Sequence, residues 1–406
     1  MARHPSKPIL AVVSPFIDKR HGTERRIAEW TSRLTDDYDV HVYSQRVEDL
    51  DLTKLIWHRI PKFPGPHLGN FLWWLAANHA WRWWDRTFRG IRHDLVFTAG
   101  TNCLDADAIS IHIVFAEFVR QLRPELRFAR NPVRSWPRLI HRRLYYRSVI
   151  ALERHLYTRP RSQLILIAQK TAADLDRFYG AHEALPVLYM GLDHAVFNPR
   201  ARLSRRDAAR KELAIPDAQF VFLLVGNDWR KKGLFTLLEA MPLLADLPIA
   251  LYIAGSDETR PYDRPIERLK LAERVRFLPS RGDVVYYYSA ADAYVGPSLE
   301  DTFAQPPMEA MACGLPVITT STNGTAEIMT DGVDGLILAD PSDARTLAAQ
   351  MRALFEDRVL RAQLGEHAAQ TARKYTWDDN GRQFRDIFSG ILRRKTKSPH
   401  EPRREY

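Results

Sequence analysis

The sequence predicts an α/β fold built from two doubly wound parallel sheets, and three observations predict it. Short apolar runs alternate with amphipathic stretches through most of the chain, as strands joined by crossover helices require. Several of these runs, such as Phe220 to Val225, are rich in valine and leucine with no polar alternation, the mark of strands buried on both faces. The length, 406 residues, exceeds one typical domain and fits two, each able to bury its own core.

Bulk properties narrow the setting. The composition is globular, with no low-complexity tract and no apolar run of membrane-spanning length. The two cysteines, Cys103 and Cys313, lie in different halves without metal-ligand spacing. A reducing cytoplasm is the expected compartment. The start, MARHPSKPILAVVS, is basic, but its apolar run is short and leads into a strand pattern; it does not read as a secretory signal. A formal charge of +10 implies an anionic partner, and charge alone fits phosphate substrates, acidic lipids and nucleic acid equally.

In order, Ile9 to Val13 reads as a buried strand, Glu24 to Leu34 as a helix and Val40 to Tyr43 as a strand. Asn70 to Arg89 reads as a helix, and Leu95 to Phe97, Ile109 to Ile113, Leu164 to Ala168 and Val187 to Tyr189 as strands. The loop SPFIDKRHGTER carries one glycine, Gly22, followed by Thr23, just before the first helix. His112 ends the run AISIH and so falls near a sheet's carboxyl edge, with Asp105, Asp107 and Glu117 nearby as candidates to orient either it or a bound substrate. The tryptophan-rich stretch from Phe71 to Arg92 fits a helix packed on the sheet better than a membrane wedge. Val119 to Arg161 is dense in arginine with interleaved Trp136, Leu139, Leu144 and Tyr145. That stretch reads either as a solvated face or as a surface for an anionic membrane.

After YMGLDHAVFNP (Tyr189 to Pro199) comes RARLSRRDAARKEL, a charged segment expected as an inter-domain linker. The strand Phe220 to Val225 then leads into GNDWRKKG, where Gly226, Arg230, Lys231 and Lys232 precede a helix. Clustered cations there suit a diphosphate. The run is not a Walker loop, which needs a different glycine and lysine spacing. Ile249 to Ala254 and Val275 to Leu278 read as strands, with Arg281 and Asp283 just beyond, and VVYYYSAADAYVGPS as a helix entering a strand. In PSLEDTFAQPPMEAMACGLP, a loop carries Asp301 and the proline-opened helix carries Glu309, with seven residues between them. At the carboxyl edge of a parallel sheet these carboxylates can meet sugar hydroxyls. The chain ends in helical patterns and a basic, apolar-poor tail.

These motifs resemble those of retaining glycosyltransferases of the GT-B fold, family 4. The acid, seven residues and glutamate of Asp301 to Glu309, followed by an alanine-rich helix and GLPV, match the family's nucleotide-sugar motif; NGTAEIMTDGVDGL and YMGLDHAVFNP match two more. Asp301 stands where Glu is usual, Asn227 where Arg is common and Met190 where Asn is usual. The resemblance implies two Rossmann-like domains facing an inter-domain cleft: an acceptor-side domain over 1–199 and a nucleotide-sugar domain over 200–375. A helix over 376–393 crossing back and a disordered tail over 394–406 complete that expectation. It implies sugar transfer with retention from a nucleotide-diphosphate donor to a sugar or lipid-linked acceptor, without an essential metal or other cofactor. His112 and Asp301 are the implied catalytic residues. Gly22, Thr23, Gly226, Arg230, Lys231, Lys232, Arg281, Phe303, Ala304, Gln305 and Glu309 are the implied donor-binding set. The expected location is cytoplasmic, peripheral on the inner face of the plasma membrane through Val119 to Arg161. Three alternatives stay open: a nucleotide-sugar epimerase of the same fold, a non-catalytic binding protein, and a nucleic-acid binder, which lacks a base-reading motif.

Overall fold

The computed structural model describes residues 7–397 apart from 20–21, 124–125, 131, 159–160, 181 and 183. It divides into two units, Met1–Tyr189 with Trp377–Tyr406, and Met190–Thr376. The division falls before the boundary expected at residue 199. The tail beyond residue 397 lies outside the described residues.

The first unit begins with β1 (Ile9–Val13), β2 (Phe16–Ile17), α1 (Gly22–Leu34), β3 (Asp39–Ser44), β4 (Arg46–Val47), β5 (Ile56–Arg59) and α2 (His67–Phe88). It continues through β6 (Leu95–Ala99), β7 (Ala108–Ile111), α3 (Phe115–Gln121), α4 (Trp136–Tyr157), β8 (Gln163–Leu166) and α5 (Lys170–Tyr179). The second unit opens with α6 (Pro199–Glu212), β9 (Phe220–Val225), α7 (Leu234–Ala240), β10 (Ile249–Ala254), α8 (Arg260–Arg268), β11 (Val275–Leu278) and α9 (Val285–Ala290). There follow β12 (Ala293–Val295), α10 (Gln305–Ala312), β13 (Val317–Thr320), β14 (Leu336–Leu338), α11 (Ala344–Glu356) and α12 (Arg358–Ala372). The last helix, α13 (Trp377–Lys397), belongs to the first unit.

Each unit holds one six-stranded parallel sheet, ordered β5-β3-β1-β6-β7-β8 and β11-β10-β9-β12-β13-β14. Renumbered within its sheet, each order is 3-2-1-4-5-6, the doubly wound arrangement whose ligand crevice opens where the winding reverses. The reversal lies between β1 and β6 in one unit and between β9 and β12 in the other. The loops leaving these four strands therefore decide where chemistry can sit. Both faces of the sheets are packed: β1, β6 and β7 are almost wholly buried. In the first unit α13 sets Phe384 and Phe388 against Trp30 of α1 and Phe97 of β6.

Several expectations change. Val187 to Tyr189 forms a single bridge to Leu166 rather than a strand. β7 stops at Ile111, so His112 lies just beyond the strand and not within it. The charged segment after Pro199 is no linker but helix α6. Its alanines, arginines, lysine and glutamate are good helix formers, the Asn198 side chain caps the Ala201 N–H at 2.7 Å, and Pro199 occupies the first turn. Arg206 and Arg210 then fix the helix to Asp292 and to carbonyls at the end of α9. The arginine-dense stretch contains α4, and part of its charge is structural: Arg120 forks onto Glu117, and Arg143 binds the Leu126 carbonyl and covers the Phe128 ring.

Helix α2 is held inward by polar groups. Asn78, Arg82 and Asp85 are buried on it. Arg82 makes a two-point ion pair with Asp105. Asp85 accepts from the Tyr43 hydroxyl at 2.7 Å and meets Nδ1 of His58 at 2.8 Å. His41 Nδ1 reaches Nε2 of His58 at 2.9 Å, and His93 Nε2 reaches the Tyr43 oxygen at 3.0 Å. With neutral rings, one proton order satisfies all four contacts: His41 donates to His58, His58 and Tyr43 donate to Asp85, and His93 donates to Tyr43. Burial keeps the rings neutral, pulling His58 down to about 4 and His93 to about 3.

A histidine held below its unfolded value of about 6.5 contributes stability above that value and loses it as pH falls toward the folded one. Thermal melting should therefore drop as pH is lowered from about 6.5 to about 4, and His58→Asn should flatten the drop. A wild-type midpoint constant over that window would refute the buried neutral network.

Candidate functional site

At the second unit's switch point, β9 ends and the backbone turns at Gly226, φ +127°. Buried Trp229 anchors the loop that follows. Its indole N–H donates to the Gly226 carbonyl at 2.7 Å, its ring stacks on Phe277 at 5.0 Å, and its backbone N–H donates to Asp257 at 2.6 Å. With that side chain turned in, Arg230 stays exposed and Lys231 and Lys232 half-buried. Gly233 follows at φ +80°, and a Cβ there would stand 1.9 Å from the Pro297 carbonyl oxygen. Only glycine allows the loop after β9 to come this close to the loop after β12. The Leu299 N–H then donates to the Lys231 carbonyl at 2.7 Å, and Lys232 Nζ pairs with Asp301 at 2.6 Å.

Asp301 is fixed from several sides. Its second carboxylate oxygen accepts the Phe303 N–H at 3.1 Å, its own N–H donates to Thr322 O, and its carbonyl accepts from Gly324 at 3.0 Å. Asn323, fully buried, takes the Ala304 N–H at 3.2 Å, and the Thr325 hydroxyl donates to the Ala304 carbonyl at 2.6 Å. The amides of Phe303 and Ala304, residues of the donor-binding set that the resemblance implies, are thus hydrogen-bonded within the protein. Gln305 begins α10 and its side-chain amide contacts Met190 sulfur at 2.8 Å. Glu309 is buried on α10, where its carboxylate accepts the Tyr288 hydroxyl at 3.0 Å. Burial, reinforced by that carboxylate, holds the Tyr288 phenol well above its ordinary range. Gly226, Lys232, Asp301, Phe303 and Ala304 are therefore gathered at one sheet edge. Arg281 is engaged elsewhere: its guanidinium covers the Tyr286 ring at 3.8 Å and faces Glu212 at the end of α6. Asp283 pairs with Arg205.

In the first unit, a cavity of about 280 Å³ opens at the β1/β6 reversal, lined among others by Thr23, Gln45, Asn70, Trp74, Thr101 and His112. Gly22 does not line it, and a Cβ there would meet open space. His112 sits edge-on to Trp30, its Nε2 3.1 Å from the Ser110 hydroxyl, while its Nδ1 is buried without a partner among the described residues. Burial, aided by Arg26, holds the imidazole well below its ordinary range, so it is neutral. Both amide atoms of Gln45 and the Asn70 oxygen are likewise buried and unpartnered. Sequence reasoning missed both residues, since neither sits in a motif and only the strand order brings them to the cavity. None of the acids expected to orient His112 is seen bonded to it. Asp105 binds Arg82, Asp107 binds the Val96 N–H and Lys395, and Glu117 binds Arg120 and Gln121.

Known proteins resemble the part that holds the charged loops. Residues 205–371 match the model of the family described as glycosyl transferases group 1. The match lies within the second unit and contains both loops. The D-inositol 3-phosphate glycosyltransferase of Corynebacterium urealyticum is 30% identical over 251 residues, 59% of each chain. The lipopolysaccharide glucosyltransferase WaaG of Escherichia coli is 28% identical over 261 residues, 61% of this chain and 67% of its own. These matches thus span about three fifths to two thirds of the relatives' lengths. The WaaG crystal structure covers 94% of this chain and all of its own with a TM-score of 0.76 at 22% identity. Anabaena Alr3699/HepE in complex with UDP-glucose covers 94% of this chain and all of its own, with a TM-score of 0.70 at 19% identity. The fold is GT-B, with two Rossmann-like domains.

Gly233→Ala should destabilise the protein by more than about 2 kcal/mol in denaturant unfolding, because its Cβ meets a carbonyl at left-handed φ. Gly22→Ala should be near neutral. Equal stability of the two variants would show that the glycine does not set the loop approach.

Proposed function

We propose that the chain transfers a sugar from a nucleotide-diphosphate donor to a hydroxyl of an acceptor, with retention at the anomeric carbon. The observation that carries this reading is the meeting of Lys232 and Asp301 at the switch point, within a segment that matches glycosyl transferases group 1. The names of the relatives support it at the level of chemistry, since they include glucosyl and other glycosyl transferases and a neighbour holding UDP-glucose.

In this reading the bond between the sugar's anomeric carbon and the diphosphate breaks, the acceptor oxygen bonds to that carbon, and the hydroxyl proton passes to the departing diphosphate oxygen. Stabilising charge on the departing diphosphate is the main electrostatic demand. Lys232 alone does not supply it, because Asp301 already offsets its charge. Arg230 and Lys231, on the same loop and nearer the surface, add positive charge to it, and Lys231 stands 3.5 Å from Asp228. Asp301 acts first by fixing the Lys232 ammonium and then by accepting a sugar hydroxyl. Glu309, set by Tyr288, accepts from the ribose hydroxyls. The cavity of the first unit takes the acceptor, where unpartnered Gln45 and Asn70 amide atoms suit hydroxyl groups. A neutral, weakly basic His112 is suited to accept a hydrogen bond from a sugar hydroxyl at Nδ1 and is poorly suited to take a full proton. The cations are side chains, so no metal enters this scheme.

Lys232→Ala should weaken nucleoside-diphosphate binding by about tenfold or more, since a charged hydrogen bond contributes roughly 1.5–3 kcal/mol. Calorimetric titration with UDP and other nucleoside diphosphates reads this directly. His112→Ala should lower turnover while leaving that affinity unchanged. If no nucleoside diphosphate binds the wild type, or Lys232→Ala binds as tightly, the donor assignment is wrong. Incubation with donor alone separates transfer from epimerisation, because an epimerase converts its donor without an acceptor.

A further inference from the structure

Helix α2 is built with its polarity reversed over its second half. Asn78, Arg82 and Asp85 face inward and are buried, whereas Trp81, Trp83, Trp84 and Phe88 face outward with exposures of 37%, 53%, 52% and 60%. Leu72 and Trp73 extend the exposed face toward the helix start. At roughly 100° per residue these side chains, with Ala76, Ala80 and Thr87 between them, fill an arc of about 180°. No acidic residue lies in that arc. The rings also touch one another, Trp84 on Phe88 at 4.2 Å, Trp83 on Phe88 at 6.0 Å and Trp73 on Phe63 at 6.2 Å. Burying these aromatics in the core would give more hydrophobic stabilisation than burying an arginine and an aspartate. The outward apolar face thus has a cost in fold stability, and a patch of this kind marks an interaction surface.

From this face we infer that α2 is a membrane-interface helix, whose tryptophans enter the boundary between lipid headgroups and acyl chains of an anionic bilayer. The choice of occupant rests on charge. Lys62 precedes the helix, and exposed Arg86 and Arg92 lie at its far end. Indole rings on an apolar arc with flanking cations suit the headgroup level of an anionic membrane. A second copy seated on the same patch would bring like-charged flanks together. No helix among the described residues is long and apolar enough to cross a membrane, so the contact is lateral. The inference moves the membrane contact from the arginine-rich stretch Val119 to Arg161 to α2, and it does not depend on the transferase reading.

The test is co-sedimentation of the full chain with vesicles of phosphatidylcholine and phosphatidylglycerol in equal parts, against phosphatidylcholine alone. Wild type should bind the anionic vesicles preferentially, with a blue shift of tryptophan emission. Trp83→Ser/Trp84→Ser/Phe88→Ser should lower the partition coefficient by at least about tenfold, while its melting temperature stays near that of wild type. Trp136→Ser/Ile140→Ser/Leu144→Ser on α4 should retain most of the binding. The inference is overturned if the wild type does not bind vesicles, if the α2 variant binds as wild type does, or if the α4 variant is the one that fails. It is equally overturned if size-exclusion chromatography shows a wild-type dimer that the α2 substitutions convert to monomer.

Discussion

The approach of two loops to within a carbonyl's width, at Gly233 and Pro297, is the constraint on which the second unit's site depends. Parallel strands β9 and β12 are neighbours in the sheet, so their outgoing loops start close together, but proximity of strands alone would leave side chains between them. Removing the Cβ at Gly233 lets backbone meet backbone, and the Leu299 N–H to Lys231 carbonyl bond closes the contact. Lys232 is then carried to Asp301. Trp229 makes the same arrangement from below, since its indole holds the Gly226 carbonyl while its ring is locked against Phe277. A charged pair is thereby positioned by apolar packing and backbone hydrogen bonds, which are less sensitive to salt than the pair itself.

The first unit solves a different problem with the same topology. Its cavity sits at the equivalent reversal of the sheet, and Glu24 from the segment after β1 is among its lining residues. Beside it, amide and imidazole atoms are left buried without partners among the described residues. Unpaired buried polar atoms cost folding free energy, and a cluster of them lining one cavity is what the proposed acceptor site would use to meet hydroxyl groups. The polar network under α2 has the opposite character. Every contact among Tyr43, His58, Asp85 and His93 can be satisfied by one proton order, so this network orients the helix and leaves nothing over for a ligand.

What the sequence made legible follows from which signals are local. The strands Ile9 to Val13, Phe220 to Val225 and Ile249 to Ala254 appear at the bounds their apolar runs indicate, because hydrophobic periodicity and short range decide them. The gathering of Gly226, Lys232 and Asp301 was also readable, since these residues sit in motifs and strand order then converges them. Gln45 and Asn70 were not. Each is brought to the cavity by strand order alone, and nothing in its immediate neighbours signals it. The segment after Pro199 misled for a related reason: its arginines look solvated, but Arg206 and Arg210 are spent on carbonyls and on Asp292. The tryptophan-rich helix packs on the sheet through Trp74, Leu75 and Ala77, as its apolar content indicates, but only the observed rotation of α2 shows that Asn78, Arg82 and Asp85 share the inside.

The aspartate at position 301 illustrates how a departure from a family pattern can be read physically. Its backbone is held between Thr322 and Gly324, so its Cα is fixed relative to β13 and the turn that follows. From that position a carboxylate on a one-carbon stem reaches the N–H two residues on, at Phe303, and forms the local turn that aspartate favours. Its other oxygen remains directed at Lys232. A glutamate would carry its carboxylate one methylene further from the backbone, where the bond to Phe303 is lost and the Phe303 amide is released for other use. The two acids therefore imply different divisions of labour. With glutamate, a backbone N–H at the start of α10 is available and the acid is mobile. With Asp301, the N–H is consumed and the acid is rigid, so that in the proposed reading a hydrogen bond to the donor sugar comes from the carboxylate itself, held in place by the lysine it neutralises.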